Sequence, residues 1–107
     1  MYFIILEATP QRDNPRREEF GGAFAACWVA TDDPAVAEQE ARSVLADAGW
    51  DARRVDEHYP VDRERYLENP ESLRRYDQAV VDGVCINLNT WARKRRGRSA
   101  GDAGRAP

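Results

Sequence analysis

The sequence predicts a single α/β (α+β) domain: a four-stranded mixed sheet in the order β-β-α-β-α-β, with two helices packed on one face. Three observations predict it. Four segments read as strands beside a Pro or Gly: one aromatic and β-branched, one apolar on both faces, one charged and one cleanly alternating. Two segments open with a cap residue followed by Pro and close at Gly. At 107 residues the chain has the length of one domain. The layering is ferredoxin-like in a loose sense only, because the element order is not β-α-β-β-α-β. No internal repeat is visible.

Residues 2–9, YFIILEAT, read as the first strand and stop at Pro10. Residues 10–21 read as a polar loop, long beside the about two to five residues usual in hairpins, and loops of that length tend to be functional or mobile. Residues 23–31, AFAACWVAT, are apolar on both sides, which suits a central strand.

The first helix is bracketed by Asp33 as N-cap, Pro34 at its first position and Gly49 at its stop. Ala37, Ala41, Val44, Leu45 and Ala48 form its apolar stripe, and Glu38 with Arg42 forms an i, i+4 pair on the wet side. Trp50 follows and is expected to cover the helix end against the sheet. Residues 52–61 read as a third strand, charged and ended by Pro60, hence nearer an edge. Residues 62–68 read as a short helical turn capped by Asp62. Asn69, Pro70 and Gly83 bracket the second helix, with Leu73, Tyr76 and Val80 expected inward. Residues 84–91, VCINLNTW, alternate as a fourth strand.

Charge divides the chain into a compact domain over 1–92 and a basic tail over 93–107. The first part has 10 Arg against 18 Asp or Glu, so 10 − 18 = −8, and the second has six Lys or Arg against one Asp, so 6 − 1 = +5. An acidic body repels phosphate backbones. The tail is expected to be unstructured. Its cluster Arg93, Lys94, Arg95, Arg96 and Arg98 is the candidate nucleic-acid handle, with Trp91 beside it to stack on an unpaired base. The competing reading is a solvated end.

Pleat alternation sorts the strands into two faces. Tyr2, Ile4 and Leu6 share one with Val84, Ile86 and Leu88, and this face is expected under the helices. Phe3, Ile5, Glu7 and Thr9 share the other with Cys85, Asn87, Asn89 and Trp91. Two Asn on one strand face are unusual. They mark a half-polar face open to water, a ligand or a partner chain.

The candidate partner- or ligand-binding residues are therefore Glu7, Cys27, His58, Cys85, Asn87, Asn89 and Trp91. A small-molecule or enzymatic site would need Glu7, Cys27, His58, Asn87 and Asn89 in one pocket. No residue is assigned a catalytic role: nothing in the sequence brings the lone His58 to Cys27 or Cys85. No metal or cofactor signature is present, since paired ligand spacing and a phosphate loop are both missing. Two separated cysteines, no leader-like start and no long apolar run predict a cytoplasmic protein with free thiols and no membrane partner. The function expected from these features is a small non-catalytic protein-binding module of accessory, inhibitor or immunity type. It is expected as a homo-oligomer, most simply a homodimer, with a protein partner whose identity the sequence leaves open.

Overall fold

A computed structural model of the chain describes residues 1–93. The elements are β1 (Tyr2–Pro10), β2 (Phe20–Val29), α1 (Pro34–Asp47), β3 (Trp50–Pro60), a 3-10 turn (Arg63–Tyr66), α2 (Pro70–Asp82) and β4 (Val84–Ala92). They form a small α+β domain with one open four-stranded sheet, in the order β3-β1-β2-β4. Lys94, Arg95, Arg96 and Arg98, and the tail expected around them, lie outside the described residues. No helix among the described residues is long and apolar enough to cross a membrane.

The local start signals act as expected. The Asp33 carboxylate accepts from the backbone N–H of Ala35 at 2.9 Å and Val36 at 3.3 Å, and Asn69 accepts from Ser72 at 3.2 Å. Gly49 and Gly83 end the helices with φ of +94° and +90°, where a side chain would be strained. The 10–21 segment is shorter and better anchored than its sequence predicts, because β2 already begins at Phe20. Asn14 Nδ2 donates to Gly49 O at 2.9 Å, and Gln11 Nε2 donates to Ala46 O at 3.2 Å. These side chains add to bonds the same carbonyls already accept from the backbone, Ala46 O from Gly49 N–H at 3.1 Å and Gly49 O from Gln11 N–H at 2.9 Å.

Two expectations are corrected. The sheet is antiparallel throughout, not mixed: β1 pairs with β2 and β3, and β2 pairs with β4, all antiparallel. The helices lie on opposite faces, not on one, which also removes the loose ferredoxin-like layering. Ala37, Ala41 and Leu45 of α1 pack with Ile4, Leu6, Ala8, Ala25, Cys27 and Val29. Ala79, Leu73 and Tyr76 of α2 pack with Phe3, Ala26, Trp28 and Cys85, whose side chains point the other way. The physical reason lies in the connections. Strands β2 and β3 run parallel to each other with β1 between them, so α1 must cross one face. That face is then filled, and α2 crosses the other on its way from β3 to β4.

Within α2, Ala79 takes the buried position and Val80 is 60% exposed, against the expected inward Val80. Trp50 is buried and meets Phe20 with ring centroids 5.4 Å apart, so it closes the α1-side core as expected.

Candidate binding face

The face opposite α1 is covered only in part. At one end, α2 and the 3-10 turn close over Phe3, Trp28 and Cys85. Trp28 Nε1 donates to the Tyr66 hydroxyl at 3.1 Å within this cluster. Burial pushes the Tyr66 pKa up, and the Trp28 bond opposes that shift.

The other end is open. The register sets Ile5, Ala26 and Asn87 in one row, then Glu7, Phe24 and Asn89, then Gly22 and Trp91. Phe24 and Trp91 are 39% and 40% exposed, with ring centroids 5.2 Å apart and planes tilted by 50°. Their seat is the Gly21-Gly22 pair. A Cβ on Gly22 would come 2.5 Å from the Trp91 ring, and one on Gly21 would come 2.8 Å from it. The two glycines therefore do steric work: they let the indole lie against the backbone of β2, where the register also slips. Glu7 is held by Arg54 Nε at 2.9 Å, and Arg54 also reaches Asp56 at 3.4 Å. The floor of this end is thus apolar and aromatic, its rim amide and ionic.

Of the seven candidates named from the sequence, Glu7, Asn87, Asn89 and Trp91 come together here. Cys85 shares the face but lies at the α2 end. Cys27 and His58 point to the opposite face, one on β2 and the other on β3, with Ile4 of β1 between them. Two strand spacings separate them, roughly 9–10 Å, so no thiol–imidazole pair forms. Burial, and to a lesser degree Cys85, pushes the Cys27 thiol up to about 12, which keeps it protonated and unreactive. The His58 ring meets Tyr2 edge-on at 5.3 Å, and its Nε2 has no hydrogen-bond partner among the described residues. The pocket that a site of Glu7, Cys27, His58, Asn87 and Asn89 requires is not assembled.

Among the described residues no group of three or more His, Cys, Asp or Glu is placed to hold a metal. Arg93 is engaged at the end of the sheet: its N–H donates to Glu19 O at 3.1 Å and its guanidinium to Arg17 O at 3.0 Å. A shallow depression lies elsewhere, along one flank of α2 between Leu73, Asp77 and Val81.

Sequence reasoning missed Phe24. Its signal was Gly21-Gly22, two side-chain-free positions beside an aromatic strand, but using it requires knowing that β4 lies against β2. No family model, no curated protein and no solved structure matches this chain.

Proposed function

We propose that this protein is a non-catalytic protein-binding module, of accessory, inhibitor or immunity type, whose working surface is the open end of the sheet. The observation that carries the reading is the exposed Phe24–Trp91 pair, seated on glycine backbone and ringed by Asn87, Asn89 and Glu7. Interface cores favour aromatic side chains, and a few such anchors hold most of the binding energy. A sheet holds them in place before the partner arrives, so little ordering entropy is lost on binding. The polar rim supplies direction: each Asn offers two donors and an acceptor.

The test compares capture by the full chain with capture by Phe24→Ala and Trp91→Ala variants. A partner retained by wild type and lost with each variant is the expected result. A partner held equally by both variants would move the working surface elsewhere.

A second reading has its own observation. Trp91 stands two residues before Arg93, where the basic cluster begins, and its ring is open to stack on a base. This nucleic-acid reading predicts single-stranded oligonucleotide binding that weakens steeply with salt and falls on Trp91→Ala. Fluorescence anisotropy across a salt series decides it; no binding at low salt ends it.

A further inference from the structure

Among the described residues the sheet has two unpaired edges, and they differ. On β3 the residues Asp51, Arg53, Arg54, Asp56 and Glu57 are charged, the register slips twice, and Pro60 ends the strand. Charges, bulges and proline are the devices that stop a strand edge from pairing with another chain. On β4, VCINLNTWA, there is no charge and no proline, and the one irregularity lies at its far end, opposite Phe20 and Gly22. Strand β2 is uncharged because it is central. Strand β4 is uncharged although it is an edge.

The backbone of that edge is set for pairing. Ala30 N–H donates to Gly83 O, and Arg93 N–H donates to Glu19 O, at either end of the β2–β4 ladder. Antiparallel alternation then turns the polar groups of Cys85, Asn87 and Asn89 toward β2. It turns those of Val84, Ile86, Leu88 and Thr90 outward. Among the described residues β4 pairs with β2 alone.

The core also stops short at this edge. Val84, Ile86 and Leu88 remain partly exposed on the α1 side, while Val29, Cys27 and Ala25, their neighbours on β2, are fully buried. Helix α1 leans the other way, toward β3, where Arg42 donates to Ala52 O at 3.3 Å.

We infer that β4 pairs antiparallel with β4 of a second copy across a two-fold axis, making one continuous eight-stranded sheet. A strand edge is its own complement in this arrangement, because the same outward N–H and C=O groups serve both copies. Charge points to the same edge. Strand β4 carries no charged residue, so pairing it with a second β4 sets no like charges opposite each other. This deepens the self-association expected from the sequence and leaves the Phe24–Trp91 face free for another partner.

The test is the mass of the full chain in solution across a concentration series, by light scattering and sedimentation. Wild type is expected as a dimer. Thr90→Pro and Thr90→Lys alter an exposed residue whose backbone faces outward, so both should keep the far-UV spectrum and raise the dimer Kd at least tenfold. Arg53→Ala, exposed on the β3 edge, should leave the dimer unchanged. Hydrogen exchange on wild type gives a second readout: the amides of Ile86, Leu88 and Thr90 should gain protection as concentration rises. A wild-type monomer at high concentration, a dimer indifferent to both Thr90 variants, or unprotected edge amides would overturn the inference. Loss of a partner on Trp91→Ala in a protein that stays dimeric bears on the binding face alone, so the two ideas fail separately.

Discussion

The two faces of this sheet are built to different completeness. Under α1, eleven residues from four elements form a buried layer, with Ile4, Leu6, Cys27 and Val29 at 0% exposure. Under α2, among the described residues, only Trp28, Tyr66 and Ala79 are buried, and the layer ends halfway across the sheet. The first face is filled mainly by aliphatic side chains, with Phe20 and Trp50 closing it toward α1's end. The second is filled by aromatic rings, among them Phe3 and Trp28 at 4.9 Å, Trp28 and Tyr66 at 6.3 Å, and Tyr66 and Tyr76 at 6.0 Å. The lesson is a division of labour: one face holds the fold together, and the other leaves part of itself available.

The largest expected effect tests that division directly. Leu45→Ala, at 1% exposure under α1, should cost about 2–5 kcal/mol in chemical denaturation. Leu73→Ala, only partly buried under α2, should cost clearly less. Equal losses would erase the distinction between the faces.

Next comes the polar link inside the smaller cluster. Tyr66→Phe leaves the Trp28 N–H without its acceptor, at a cost of about 1–3 kcal/mol. If the variant is as stable as wild type, water replaces the hydroxyl and the α2 side is wetter than its packing indicates.

Gly22→Ala sharpens the comparison at the open end. Its Cβ would meet the Trp91 ring at 2.5 Å and Ala8 O at 3.1 Å, and one of the two has to move. The indole is the movable one, so a stability loss of roughly 1–3 kcal/mol should accompany a shift of the Trp91 indole resonance. An unmoved resonance would mean that the glycines do not seat the ring.

The smallest effect uses one cysteine from each face. With its pKa raised to about 12, Cys27 keeps its proton in the folded state at pH values where an unfolded thiol has lost it. Its contribution to stability is therefore whole below the ordinary thiol range and is lost as pH rises through that range toward 12. Cys27→Ser should change the slope of stability against pH in that window. At neutral pH a thiol reagent should label Cys85 first and reach Cys27 only on unfolding, since Cys27 is buried and Cys85 is not. Equal labelling rates would contradict the burial of Cys27.

Local chemistry made much of the fold legible in the chain. Asp33, Asp62 and Asn69 cap where their side chains reach the next N–H groups, and Gly49 and Gly83 end helices where φ must be positive. The charges and Pro60 of the third strand marked it as an edge, and the apolar run of the second marked it as central. Alternation placed Glu7, Asn87, Asn89 and Trp91 on one face correctly, because the pleat has a period of two whatever the topology. Each of these rests on residues a few positions apart, so the sequence by itself determines them.

Only the tertiary structure decided which strands are neighbours and which face each helix takes. An amphipathic stripe states that a helix has an inner side; it does not state which side of the sheet receives it. That choice follows from the crossover between β2 and β3, a property of the whole chain path. The Phe24–Trp91 pair depends on it too. Its rings come from positions 67 residues apart (91 − 24) and meet only because β4 lies beside β2, over two glycines that leave room for an indole.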